Sequence, residues 1–230
     1  GYQVRWQCHP DMHAMIRRVP SVSSVEEPTR IQPHVDLDGA YESHPARKRV
    51  SFQDIFVTKA GDQLTQRRIL LGAATNCAPV LTVGVKEFDK AVLRIAPYPR
   101  PWVAFAARSN SHANRTIPDV LLSAVAQATK GTCFWIANHA NAPQHFFDLN
   151  LRSIDAVAVA LSAMDLFVGP DSGPMHIAAA LRIPVIALEQ ASSPDLHLSD
   201  QRDFQVVRRS DLTCLNCQQV ICPLPVDKSQ

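Results

Sequence analysis

The residue types best suited to chemistry lie in one short segment, Asp171-Ser172-Gly173-Pro174-Met175-His176. An apolar run over residues 166–168 precedes it and a run of alanines follows it, so the segment is predicted to be a turn from a strand into a helix. The first N–H groups of a helix are unpaired and lie at the positive end of its dipole. Gly173 would let an anion approach the backbone, and Ser172 adds a hydroxyl donor. This pattern favours a phosphate-bearing ligand, and the alternative is a tight turn in which Asp171 caps the helix.

Three cysteines near the end of the chain form a second cluster: Cys214, Cys217 and Cys222. A C-x-x-C pair has a spacing typical of metal chelation, because both thiolates can reach one ion from a turn. A closed tetrahedral site needs a fourth ligand, and none follows in the sequence. We therefore expect reduced thiols or a local disulfide at this cluster and no metal, with a metal site as the alternative.

The other histidines and one further cysteine are predicted to be structural. Cys133 lies within an apolar run and is expected to be a small core residue. The remaining histidines show no spacing typical of a metal or catalytic site, so we expect surface or core positions for them. They are His9, His13, His34, His44, His112, His139, His145 and His197.

The elements that must position the main segment are predicted from four apolar runs, over residues 103–107, 134–137, 166–168 and 185–188. Helical segments separate these runs: one opens at Pro118 and stops at Gly131, one is capped by Ser153, and one covers residues 175–181. Strands that alternate with helices predict a parallel sheet in which the four runs are neighbouring strands. In such sheets, ligands bind at the carboxyl ends of the strands.

A shorter β-α-β pattern opens the chain. Residues 4–8 are predicted to form a strand. Asp11 is predicted to cap a helix that contains Met12, Met15 and Ile16. The segment around Val22 and Val25 is predicted to form a second strand. The spacing of apolar residues also predicts a helix over residues 51–60.

Proline-rich sequence around residues 97–101 is the predicted linker. We therefore expect two parts, residues 1–95 and residues 96–230, the second of which ends in the cysteine-containing loop.

Composition narrows the classes of function. In 230 residues, 46% are hydrophobic and 19% charged, which suits a sizeable core and does not suit a disordered chain. The net charge of +2 argues against charge-driven binding to nucleic acid. No apolar stretch reaches the roughly 20 residues that a membrane-spanning helix needs. Six cysteines are too few for a disulfide scaffold, so we expect a cytoplasmic protein.

The segment from Asp165 to Leu188 resembles the signature of the heptosyltransferases, the family 9 glycosyltransferases of GT-B fold. The resemblance is carried by the Asp-Ser-Gly-Pro-Met-His sequence, the small-residue helix after it and the apolar strand beyond. It extends more weakly over most of the chain, including a middle β-α-β segment near the start and a late cysteine-containing loop. It implies an α/β, GT-B-like fold. The parallel-sheet, Rossmann-type C-terminal domain, residues 96–230, would bind a nucleotide sugar. Residues 1–95 would form an incomplete, acceptor-side N-terminal Rossmann-like domain.

The resemblance also implies roles for residues. Asp171, Ser172, Gly173 and His176 would bind the donor diphosphate, together with Arg115, which stands where the family has a lysine three residues before a proline. Contacts to the donor nucleoside would fall to Asn138 and Ser109, although no carboxylate for the ribose is present near Asn138. No glycine turn follows the first strand of the C-terminal domain. The family's catalytic Asp belongs to a strand that we expect to precede this chain, and the family's C-terminal helix is expected to be missing after Pro225.

By this resemblance, a sugar such as heptose would pass from a nucleotide-sugar donor similar to ADP-heptose to a hydroxyl of a glycolipid or glycan, in lipopolysaccharide biosynthesis. No cofactor is required if cationic side chains stabilise the leaving diphosphate. Peripheral association with a membrane is compatible with such an acceptor. The alternative is a non-catalytic nucleotide-sugar-binding or interaction module that has lost the first strand and the base. A Rossmann dinucleotide protein is disfavoured, because no G-x-G-x-x-G occurs.

Overall fold

The computed structural model describes residues 4–7, 10–20, 22–26, 59–60, 63, 80–107, 116–136, 142–198, 201, 203–212 and 214–217. Most of the helix predicted over residues 51–60 lies outside these ranges. No helix among the described residues is long and apolar enough to cross a membrane.

The N-terminal part is the β-α-β unit that the sequence predicts. Strand β1 (Val4–Gln7) and strand β2 (Val22–Glu26) pair in parallel. A 3-10 helix (Pro10–Met12) and helix α1 (His13–Ile16) connect them. The predicted cap is wrong: Asp11 lies within the 3-10 helix, and α1 begins after Met12 with no side-chain capping hydrogen bond.

A helix that the sequence analysis does not predict, α2 (Val85–Ile95), follows the N-terminal part in the described chain. The backbone N–H of its N-cap, Gly84, donates to the carboxylate of Glu87, and its last residue, Ile95, is buried. The predicted linker, residues 97–101, connects α2 to the first strand of the main sheet.

The main sheet has six parallel strands among the described residues, in the order β5-β4-β3-β6-β7-β8. Its central four, which are neighbours, confirm the four strands predicted from the apolar runs. They are β3 (Trp102–Phe105), β4 (Thr132–Trp135), β6 (Leu166–Pro170) and β7 (Val185–Leu188). Two short edge strands that the sequence analysis does not predict complete the sheet, β5 (Phe147–Asp148) and β8 (Phe204–Val207).

Helices connect these strands and cover both faces of the sheet. They are α3 (Asp119–Ala128), α4 (Ile154–Ser162), α5 (Gly173–Ala180) and α6 (Pro194–His197). Ser153 caps α4 as predicted, since its side chain accepts a hydrogen bond from the backbone N–H of Ala156. The buried residues form two clusters, because the strands are apolar on both faces, as parallel strands are.

Candidate functional site

The carboxyl end of β6 leads directly into α5. Asp171 follows the last strand residue, Ser172 is the N-cap, and α5 begins at Gly173 with a proline in its first turn. A Cβ atom placed on Gly173 would meet no atom within 4 Å, and this glycine is exposed. The N-terminal backbone of α5 is therefore open to a ligand, at the positive end of a helix dipole.

Asp171 does not cap this helix, so the alternative of a capping aspartate is wrong. Its carboxylate instead contacts two imidazole rings. Oδ1 lies 3.2 Å from Nε2 of His176, on the first turn of α5, and Oδ2 lies 2.8 Å from Nδ1 of His197, the last residue of α6. Asp171 is 4% exposed and His197 is 7% exposed, whereas the His176 side chain is 41% exposed. Of the three side chains, His176 is thus the one that an incoming molecule can reach.

The charge of this cluster follows from its contacts. Burial raises the pKa of Asp171, but the hydrogen bonds from His176 and His197 lower it by more. The net result is a pKa well below the ordinary value for an aspartate, and the carboxylate is ionised at neutral pH.

The same three side chains are the described residues that could hold a metal ion. Each offers one ligand atom, and these atoms all lie within 4.8 Å of one another. Imidazole nitrogens and a carboxylate oxygen are ligands that Zn²⁺ accepts. However, the two hydrogen bonds already satisfy both carboxylate oxygens, so the geometry is explained without a metal.

Four buried polar atoms near the carboxyl ends of β6 and β7 have no hydrogen-bond partner among the described residues: Ser172 Oγ, Glu189 Oε2, Gln190 Oε1 and Ser192 Oγ. Glu189 Oε2 lies 2.9 Å from Nε of Arg208, so its charge is paired and the other three atoms remain. They follow two adjacent parallel strands, so they lie along the same edge of the sheet. Buried polar atoms are normally paired, and unpaired ones at a sheet edge mark a place where a polar ligand can bind.

The chain leaves β3 at the same edge of the sheet. Phe105, the last residue of β3, pairs with Val168 of β6 in parallel register, and the described chain continues to Ala107. Arg115, Ser109 and Asn138 themselves lie outside the described residues, as does Cys222. Cys214 and Cys217 form no disulfide with each other.

His197 is the site residue that the sequence analysis missed. The sequence predicts a surface or core position for His197, because the dispersed histidines show no spacing typical of a metal or catalytic site. His197 and Asp171 are 26 residues apart in the chain. The available signal was indirect: Pro194 can open a helix shortly after the β7 strand, and that helix must start at the edge where the ligand segment lies. The contact between His197 and Asp171 depends on tertiary packing, which cannot be predicted from the spacing of residues in the sequence.

Comparison with known proteins confirms the resemblance to family 9. Residues 121–226 match the family model described as glycosyltransferase family 9 (heptosyltransferase). A curated relative, lipooligosaccharide heptosyltransferase 2 of Campylobacter jejuni, is 29% identical over 75 residues, which are 33% of this chain and 24% of that protein. The matched segment thus spans about a quarter of the length of this relative.

Solved structures confirm the α/β, GT-B-like fold. A family 9 glycosyl transferase from Veillonella parvula superposes with a TM-score of 0.64 at 11% identity, covering 91% of this chain and 79% of its own. The E. coli ADP-heptose lps heptosyltransferase II superposes with a TM-score of 0.63 at 14% identity, covering 89% of this chain and 81% of its own. At these identities the likeness concerns the fold.

Proposed function

We propose that this chain, similar to the family 9 glycosyltransferases over residues 121–226, binds the diphosphate of a nucleotide-sugar donor at the N-terminus of α5 and transfers the sugar to an acceptor hydroxyl. The donor is similar to ADP-heptose, and the acceptor is a glycolipid or glycan in lipopolysaccharide assembly. The names of two relatives, a lipooligosaccharide heptosyltransferase and an ADP-heptose heptosyltransferase, support this choice of substrates.

The observation that carries the proposal is the open helix N-terminus beside a half-exposed imidazole. Gly173 leaves space for a phosphate against the backbone, and the His176 ring stands on the same first turn. A diphosphate needs donors and positive charge. The backbone N–H groups of α5 supply donors, and the imidazole of His176 supplies a donor and positive charge when both of its ring nitrogens carry protons. The unpaired Ser172 hydroxyl adds a third polar group at this point.

The chemistry follows from this geometry. The acceptor oxygen forms a bond to the anomeric carbon, the bond from that carbon to the diphosphate oxygen breaks, and the electron pair leaves with the diphosphate. A general base takes the acceptor proton. The N–H groups of α5 and the imidazole of His176 stabilise the charge that develops on the leaving diphosphate. We assign the base to no described residue.

We place the reaction in the cytoplasm. Among the described cysteines, Cys133 and Cys214 are free thiols, which is typical of a reducing compartment. Docking on a membrane surface would bring the protein to a glycolipid acceptor.

Calorimetric titration with ADP, AMP and adenosine tests the binding step. The proposal predicts saturable binding of ADP, weaker binding of AMP and the weakest binding of adenosine, because the phosphates make the main contacts. Equal affinity for the three ligands, or no binding of ADP, would overturn it. Release of ADP from ADP-heptose in the presence of acceptor then separates a transferase from a module that only binds.

A further inference from the structure

The side chains of His197, Asp171 and His176 form a hydrogen-bonded series from the interior to the surface. Nδ1 of His197 lies 2.8 Å from one carboxylate oxygen of Asp171, and Nε2 of His176 lies 3.2 Å from the other. His197 and Asp171 are buried, and His176 is half-exposed. A ligand at the start of α5 therefore meets the imidazole of His176 and not the carboxylate behind it.

The protons of this series are fixed by the carboxylate. An ionised carboxylate only accepts hydrogen bonds, so both nitrogens that face it must donate. His197 therefore carries a proton on Nδ1, and His176 carries one on Nε2. Nδ1 of His176 is then the ring nitrogen that does not face Asp171. It donates to a diphosphate when the ring carries both protons, whereas in the neutral ring it only accepts a hydrogen bond.

A direct contact between Asp171 and a diphosphate is unfavourable. Both are anions, and their repulsion grows when the carboxylate is buried away from water. Both carboxylate oxygens are also occupied by imidazole nitrogens. The role that fits Asp171 is to orient a neighbouring group.

We propose that His197 is a positioning residue of the donor site: it holds the Asp171 carboxylate, which in turn holds the His176 ring toward the diphosphate. The inference rests on the proposed function. It changes the role that the family resemblance gives to Asp171, from a contact with the diphosphate to a support of His176. It also adds a residue from the loop and helix that follow β7.

Two substitutions of His197 separate positioning from packing. His197→Asn keeps an N–H donor near the place of Nδ1, whereas His197→Leu keeps apolar volume and removes the donor. We expect His197→Leu to weaken ADP binding about tenfold, the loss that follows when a hydrogen bond to a charged group is removed, and His197→Asn to stay within about twofold of the wild type. Equal losses in both variants would contradict the proposal.

A double-mutant cycle with His176→Ala then tests the order of the series. If His197 acts through His176, His197→Leu causes no further loss of ADP affinity once His176 is alanine. Losses that multiply in the double variant would show an independent structural effect and overturn the proposal. Thermal unfolding of each variant verifies that the folded protein is being titrated.

A measurement on the free protein, without nucleotide, tests this inference independently of the proposed function. Long-range ¹H–¹⁵N spectra of the free protein report which ring nitrogen carries the proton. We expect the neutral rings of His176 and His197 to be protonated on Nε2 and Nδ1, respectively, and the His176 assignment to lose this preference in His197→Leu. The opposite tautomers would overturn the series even if ADP binds. If the tautomers are as expected and ADP does not bind, only the proposed function fails.

Discussion

Nε of Arg18 lies 2.7 Å from Oδ1 of Asp155, a contact that joins residues 137 positions apart in the chain. The same guanidinium donates to both carboxylate oxygens of Glu87, at 2.9 and 3.0 Å. The Arg18 side chain is 11% exposed. One arginine thus connects the N-terminal β-α-β unit to α2 and α4, which cover the main sheet.

Arg18→Ala is expected to lower the free energy of unfolding by about 2 kcal/mol, because it removes the charged hydrogen bond to Asp155. The neighbouring Arg17 is exposed, and Arg17→Ala is the matched control, with an expected change within about 0.5 kcal/mol. Urea denaturation measures the free energy of unfolding of both variants. Equal stabilities of the two variants would show that the Arg18 contacts do not stabilise the fold.

Two glycines near the candidate site, Gly169 and Gly173, are expected to differ in how much stability the protein loses when a methyl group is added. A Cβ on Gly169 would lie 2.6 Å from the carbonyl oxygen of Ala106, in the adjacent strand, whereas a Cβ on Gly173 would meet nothing within 4 Å. Gly169→Ala is expected to cost about 1–3 kcal/mol of stability through overpacking. Gly173→Ala should change stability by less than about 0.5 kcal/mol. Thermal unfolding of the pair provides the comparison, and a stable Gly169→Ala variant would contradict the close approach of β3 and β6.

The proposed ligand site predicts how strongly each of three substitutions weakens ADP binding. Gly173→Val should weaken ADP binding more than His176→Ala does, because a branched side chain blocks the phosphate while loss of the imidazole removes one donor. We expect about tenfold for His176→Ala. Lys130→Ala is the control, since Lys130 is exposed and precedes β4 at the opposite edge of the sheet. Titrations in which the Lys130 variant loses as much affinity as the other two would argue against a site on α5.

The low pKa of Asp171 predicts a pH dependence of stability. Because the pKa is lower in the folded than in the unfolded chain, the unfolded state binds more protons below about pH 4. The stabilisation from the ionised carboxylate is present above that pH and is progressively lost as the pH falls. Urea denaturation at pH 5 and pH 3.5 should therefore show a larger loss for the wild type than for Asp171→Asn. Identical losses would mean that Asp171 has an ordinary pKa in the folded protein.

The cysteines are expected to differ in reactivity. Burial raises the pKa of the Cys133 thiol, and the hydrogen bond with Thr129 lowers it by less. Cys133 is 3% exposed, whereas Cys214 is exposed. Alkylation of the native protein should therefore label Cys214 before Cys133, and elemental analysis should find no stoichiometric metal at the terminal cysteines. One iron or zinc per chain together with protection of Cys214 would contradict both expectations.

The four central strands of the main sheet could be predicted from sequence, because each lies in a nearly continuous apolar run. Such runs identify strands that are buried on both faces of a sheet. Helix α2 was missed although its sequence is amphipathic. Two prolines, Pro79 and Pro97, flank residues 85–95 and do not interrupt them, and only the second belongs to the predicted linker. The edge strands β5 and β8 have two and four residues, too few for a periodic pattern.

The site was predictable only in part for a related reason. The segment around Gly173 is predictable from contiguous residues, because a strand, a tight turn and a helix N-terminus follow one another directly in the sequence. The contact between Asp171 and His197 depends on how α6 packs after β7, and no local spacing encodes it. Sequence therefore located the open backbone of the site and not the buried support behind it.

Backbone amide chemical shifts during titration with ADP locate the ligand on the chain and therefore test the diphosphate site at α5. We expect the largest shifts at residues 172–176 and at the residues after β7, with small shifts in α2 and in α3. Shifts confined to α2 or α3, or an absence of shifts at saturating ADP, would contradict a diphosphate site at the N-terminus of α5.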